Sequence, residues 1–298
     1  MNAQTKFIHF VLKAVNAKKI ATKAFLRPKR SRRFNYPNRL RRGIVTDQFL
    51  VNQRNVVTFK PGDHMENKHI FYLHGGGYSM EVNSGAWWMV WQMVKKYSFK
   101  LSFIDYPLTP EHTYKEAHEM VYQAYATLVE KHPKDDFYFL GDSAGGGFCL
   151  SFAQSLRNKG FAKRPEKIVL LSPWVDISNS NPEIKELEKK DLILDPEGLL
   201  LCSKNFADEL DLKNPIVSPL FGEMDDLNSI GIFVGTHEVL LPDCRELKKK
   251  IEASNTTLYY KEYEAMQHDW MIFPIREREI LMKDVVAYLT STSEGSRA

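Results

Sequence analysis

The stretch Phe137-Tyr138-Phe139-Leu140-Gly141-Asp142-Ser143-Ala144-Gly145-Gly146 decides how this chain is read. Four apolar residues run into a turn of small ones, and a helical pattern, Ala144–Arg157, opens directly behind it. A G-x-S-x-G string alone is a weak signal. Between a strand and a helix it describes a sharp turn that exposes the serine hydroxyl, with glycines where larger side chains would strike the neighbouring strand and helix. The plain alternative is a Gly-rich turn with no chemistry. The chemical reading makes Ser143 a nucleophile.

A serine hydroxyl is a poor nucleophile at neutral pH, so it needs a base, and the base needs an orienting acid. In this architecture the chain order is Ser, acid, His. Of nine histidines only His237 and His268 follow Ser143. His268 falls in the loop Met266-Gln267-His268-Asp269-Trp270, just past a strand-like run, where sites of parallel sheets form. His237 abuts an acid candidate and reads as a neighbour. Glu238 directly follows the preceding strand, while Asp243 falls where a helix should start and suits its first turn. Glu238 is therefore the expected acid and Asp243 the alternative. His74-Gly75-Gly76-Gly77 also follows a strand; the N–H groups of Gly75, Gly76 and Ala144 are the expected oxyanion donors, with the His74 ring bracing the loop.

Farther out, apolar runs and helical patterns alternate. Gln48–Phe59 reads as two strands with a break near Asn52–Asn55, and Lys68–Leu73, Lys100–Tyr106, Lys167–Leu171, Ser229–Gly235 and Thr257–Tyr263 read as strands. Ala86–Tyr97, Thr113–Lys131, Asp243–Glu252 and Arg276–Thr290 read as helices. This rhythm predicts an α/β fold with a mostly parallel sheet covered on both faces and an antiparallel edge. Asp176–Pro215 interrupts it as a charged insertion with two helical patterns and no strand.

At 298 residues, 43% hydrophobic and 26% charged, the chain is neither disordered nor fibrous. Three scattered cysteines (Cys149, Cys202, Cys244) suit free thiols in a reducing compartment better than disulfides or zinc. No apolar run is long enough to span a membrane, and Phe7–Val15, broken by Lys13, makes a poor signal peptide. A cytoplasmic location is expected. His112, His118 and Glu119 lack zinc-ligand spacing, so no metal and no cofactor are expected; Trp87, Trp88 and Trp91 read as a helix packed on the sheet.

The formal charge of +4 hides an asymmetry: residues 1–46 hold thirteen Lys/Arg and no Asp or Glu, leaving 28 basic and 37 acidic residues elsewhere. Phe7, Ile8, Val11, Leu12 and Val15 recur at helical spacing within that arm. An apolar face with a Lys-rich back predicts a helix lying on the acidic body; weak contact with a membrane surface is the second reading, and nucleic acid is not an expected partner.

Together these residues resemble the hormone-sensitive-lipase-like esterases of the α/β-hydrolase fold. The resemblance covers about residues 66–290 and rests on His74-Gly75-Gly76-Gly77-Tyr78 and Gly141-Asp142-Ser143-Ala144-Gly145-Gly146. Asp105-Tyr106-Pro107-Leu108-Thr109-Pro110-Glu111-His112, Ser172-Pro173-Trp174-Val175-Asp176 and Ser218-Pro219-Leu220 resemble further landmarks. It implies an eight-stranded sheet and cofactor-free hydrolysis of small-molecule carboxylic esters. It also implies a helical cap made of residues 1–45 and an insertion at 176–215, over a hydrolase domain spanning 46–298. An arylformamidase-like amide hydrolase and a non-catalytic ligand-binding member of the fold are the rival expectations; a homo-oligomer is compatible with all of them. Two departures stand out. The family's acid is normally Asp in D-x-L where this chain has Glu238-Val239-Leu240, and Pro107 replaces the usual Arg, removing a local ion pair.

Overall fold

The computed structural model describes residues 2–40, 44–62 and 67–291. Arg41 and Arg42 of the basic arm, and residues 292–298 of the expected hydrolase domain, fall outside that range. The described strands are β1 (Ile44–Val51), β2 (Arg54–Pro61), β3 (Lys68–Leu73), β4 (Lys100–Ile104), β5 (Asp136–Asp142), β6 (Lys167–Leu171), β7 (Ser229–Gly235) and β8 (Thr257–Tyr263). They form one sheet in the order β1-β2-β4-β3-β5-β6-β7-β8. The β1–β2 and β2–β4 pairs are antiparallel and the remaining pairs parallel. The opening hairpin turns at Asn52 and Gln53, with φ of 47° and 63°, the left-handed pair that a two-residue turn between twisted strands requires.

The helices are α1 (Ala3–Ala14), α2 (Ala17–Leu26), α3 (Ser84–Trp91), α4 (Tyr114–Lys131), α5 (Ala144–Asn158), α6 (Ile184–Leu187), α7 (Pro196–Ala207), α8 (Leu241–Glu252) and α9 (Arg276–Thr290). α4 shows why the sequence folds this way. Thr113 and Glu116 close a capping box at its start, and Ala117, Met120, Val121, Ala124, Tyr125 and Leu128 form its buried stripe. α4, α5 and α8 cover one face of the sheet; α3 and α9 cover the other. With both faces covered, β3 to β7 are apolar nearly throughout. Trp87 and Trp88 sit in the second layer, where Trp87 meets Phe34, Tyr36, Phe59 and Phe103.

The insertion carries α6 and α7 and no strand among the described residues. α2 lies on α7, with Thr22 against Gly198, and Phe25 packs against Gly77. α1 departs from its expected pose. Its anchor is polar: Asn2 Nδ2 and Thr5 Oγ1 donate to Glu277 at 3.1 and 2.6 Å, and Gln4 reaches Pro274 O. This turns Thr5 and Ile8 inward and leaves Phe7, Phe10 and Val15 at 63%, 68% and 51% exposure. The apolar face expected to lie on the body is thus only partly covered.

Candidate active site

Ser143 occupies the turn between β5 and α5 with φ 52° and ψ −122°, a conformation that costs a non-glycine residue about 1–3 kcal/mol. Close packing holds it there. A Cβ on Gly145 would fall on the Leu73 carbonyl oxygen, and one on Gly147 on that of Trp174, so the helix can approach the strands only with glycine at both places. Ser143 N donates to Leu171 O at 2.8 Å, and Trp174 N donates to Ser143 O at 2.9 Å.

The chain ends after β7 and β8 bring Glu238 and His268 to this turn. His268 Nε2 stands 2.9 Å from Ser143 Oγ, and its Nδ1 stands 2.6 Å from Glu238 Oε2. Glu238 is fully buried, and its Oε1 accepts from Gly235 N at 2.6 Å and Ser172 Oγ at 2.9 Å. Burial pushes the Glu238 carboxyl upward, while His268 and these donors pull it back. The insertion steadies both loops: Leu192 N donates to Gln267 Oε1 at 2.6 Å and Val239 N to Asp191 Oδ2 at 2.9 Å. Asp243 stays apart, in the first turn of α8, where its Oδ1 accepts from Asn181 at 3.1 Å and its buried Oδ2 has no partner among the described residues. Burial and then the charge of Asp176 raise its carboxyl to about 7.

A carboxylate that the sequence reading passes over also faces the imidazole. Asp269, held at φ 49°, puts Oδ2 3.3 Å from His268 Nε2. Burial pushes the His268 pKa down, but Asp269 and then Glu238 outweigh it and raise the ring well above its ordinary value. Asp142 lies beside them, raised to about 7 by burial and then by the Asp269 charge, with Tyr72 donating to its Oδ1 at 2.6 Å. The signal for Asp269 is in plain sight, an acid directly after the histidine.

The three glycines of the loop are held differently. Gly75 packs against Asp142, and its backbone helps hold that carboxyl down. Gly76 and Gly77 have φ of 110° and 61°, backbone that favours glycine. Among the described residues no acceptor takes the N–H of Gly76, Gly77 or Ala144. The loop is braced by His74, whose Nδ1 lies 2.7 Å from Gly75 O and whose ring stacks on Phe103 and Tyr106.

The profile of the alpha/beta hydrolase fold family matches residues 70–272. The chain belongs to that family. An esterase of Acinetobacter venetianus is 27% identical over 226 residues, covering 74% of this chain and 74% of its own. An acetyl-hydrolase of Streptomyces hygroscopicus is 27% identical over 236 residues, covering 77% and 78%. Among solved structures, an esterase/lipase from an uncultured bacterium superposes with a TM-score of 0.77 at 26% identity, covering 93% of this chain and 97% of that one. A hormone-sensitive lipase from a metagenome library shares the fold at a TM-score of 0.78 and 24% identity, covering 91% and 95%. The kinship with hormone-sensitive-lipase-like esterases drawn from the motifs is borne out.

Against the alpha/beta hydrolase pattern, the loss expected at Pro107 is made good elsewhere. Arg54 of β2 reaches across, its Nη2 2.7 Å from Asp105 Oδ1 and its Nε 2.8 Å from Asp105 O. The ion pair survives with a different cation. A second Ser–His–Asp line lies deeper in the sheet. His69 bridges Ser102 Oγ (2.7 Å) and Asp135 Oδ2 (2.9 Å), with Lys100 also on Asp135. Ser102 and His69 are wholly buried within their strands, so no substrate can reach them. Burial, which Asp135 only partly opposes, lowers His69 to about 4 and keeps it neutral. That line is a structural polar network.

Proposed function

We propose that this hydrolase cleaves carboxylic esters of small to medium acyl chains through an acyl-enzyme on Ser143. The observation that carries the reading is the unbroken hydrogen-bonded line from Glu238 through His268 to Ser143, at 2.6 and 2.9 Å. Ser143 Oγ attacks the ester carbonyl carbon while its proton passes to His268 Nε2, and Glu238 stabilises the imidazolium. Gly76, Gly77 and Ala144 hold the negative oxygen, each lost donor costing about 3–4 kcal/mol. As the carbonyl reforms, the bond to the alcohol oxygen breaks and His268 returns the proton to it. Water then attacks the acyl carbon, losing a proton to His268; the acid leaves and Ser143 regains its proton.

Residues 1–45 and 176–215 act as the cap. The lie of α2 on α7, with Phe25 against Gly77 of the glycine loop, supports this. The three cysteines, all free and buried, support a cytoplasmic setting. A p-nitrophenyl ester series from acetyl to palmitoyl tests the reading with the wild type, Ser143→Ala and His268→Ala. Turnover that peaks at short acyl chains and vanishes in both folded variants is expected. A rise toward palmitoyl overturns the acyl range, and substantial turnover by either variant overturns the mechanism.

A further inference from the structure

The N-terminal helices use one side to hold the body and leave the other without a partner among the described residues. Inward, Asn2 and Thr5 meet Glu277, Lys18 reaches Glu188 O at 2.7 Å, and Phe25 is buried. Arg30 then fastens the arm to Glu111 at 2.7 Å and to Ser79 O at 2.5 Å. Outward, α1 presents Phe7 and Phe10 flanked by Lys6 and Lys13, and α2 presents Lys19, Ile20, Lys23, Leu26 and Arg27. Half of the ten large apolar side chains that are exposed among the described residues fall between Phe7 and Leu26. Among the described residues, Lys6, Lys13, Lys19, Lys23 and Arg27 have no ion-pair partner.

Scattered exposed apolar residues need no explanation; a cluster of them rimmed by unpaired cations does. We propose that the outer faces of α1 and α2 form a docking surface for an anionic lipid membrane. Charge complementarity selects this occupant. The thirteen cations of residues 1–46 carry no acid among them, while the rest of the chain holds 37 acidic against 28 basic residues. An anionic leaflet therefore attracts the arm and repels the body, so that charge orients the molecule as well as binding it. Phe7, Phe10, Ile20 and Leu26 enter the boundary between headgroups and acyl chains, and the lysines stay among the headgroups. The surface lies on the elements assigned above to the cap, but binding does not depend on the assignment of Ser143, His268 or Glu238.

The test is co-sedimentation of the full chain with phosphatidylcholine vesicles, with and without phosphatidylglycerol, at low and high salt. The wild type is expected to bind only the anionic vesicles and to be released by salt. Lys19→Gln with Lys23→Gln is expected to weaken partitioning about 25-fold, from a loss of about fivefold per lysine. Phe7→Ser with Phe10→Ser is expected to weaken it about tenfold or more at unchanged charge. All four side chains point to solvent, and the unfolding temperature of each variant confirms that it folds. Absence of wild-type binding to anionic vesicles, or binding that neither pair alters, overturns the proposal. A concentration-dependent dimer that Phe7→Ser with Phe10→Ser dissolves, without vesicle binding, overturns it in favour of a contact between copies.

Discussion

Replacing Glu238 by Gln removes a charge but almost no volume, and the hydrogen bonds around the carboxylate dictate how the amide must sit. Oε1 accepts from the Gly235 N–H at 2.6 Å and from the Ser172 hydroxyl at 2.9 Å, while Oε2 accepts from His268 Nδ1 at 2.6 Å. A glutamine has one acceptor end and one donor end. Turning the amide nitrogen toward Gly235 would oppose two buried donors, and the backbone N–H cannot rotate away; a stranded donor costs about 1–3 kcal/mol. The carbonyl therefore stays with Gly235 and Ser172, and the NH2 faces Nδ1. The ring must then accept at Nδ1 and carry its proton on Nε2, 2.9 Å from Ser143 Oγ. In that tautomer it cannot take the serine proton, and the imidazolium has also lost its counter-charge.

A wrong-tautomer histidine costs about 10⁴ in kcat, or roughly 5 kcal/mol. Glu238 has no exposed surface and touches no substrate, so KM should scarcely move. Steady-state kinetics on p-nitrophenyl butyrate, with thermal unfolding as the folding control, reads both effects. Asp243→Asn is the matched control. With its carboxyl raised to about 7 it is already partly neutral at neutral pH, so activity should change less than about threefold. A loss below about tenfold in folded Glu238→Gln, or a larger loss in Asp243→Asn, refutes the assignment of the acid.

Asp269→Asn bears on pH dependence. The Asp269 charge holds the His268 pKa up, and the base works only when neutral, so activity should rise with pH through that raised value. The variant should move the acidic limb of the pH–rate profile to lower pH; an unmoved or higher limb contradicts the account. Ser102→Ala should retain full ester turnover, because the buried line it belongs to has no access, and loss of activity without loss of stability would contradict that. Arg54→Met strands Asp105, whose own burial already pushes its carboxyl upward, and should lower stability by about 1–3 kcal/mol in denaturant unfolding. A variant as stable as the wild type would show that the Arg54 contact does not matter.

What could be read in the sequence followed from local physics. The strand Phe137–Leu140, the small residues behind it and the helix pattern needed no distant partner to be recognised, and the order of Ser143, Glu238 and His268 follows from how a parallel sheet is wound. What escaped depended on orientation. That Gly75 packs on Asp142 while Gly76 and Gly77 take positive φ is set by backbone angles no composition encodes. Arg54 could not be matched to Asp105 because their pairing depends on the register of β2 against β4. The rolled pose of α1 follows from polar anchoring at Glu277, which the apolar periodicity of Phe7, Val11 and Val15 does not contain.

The central claim is that Ser143 becomes covalently acylated because His268 and Glu238 activate it. Intact-mass and peptide mapping after reaction with an active-site fluorophosphonate tests this most directly, since that reagent phosphonylates only an activated serine hydroxyl. The account predicts one adduct per chain on the peptide containing Ser143, absent from Ser143→Ala and strongly slowed in His268→Ala. An adduct on another serine, Ser102 included, or equal labelling in His268→Ala, would contradict it.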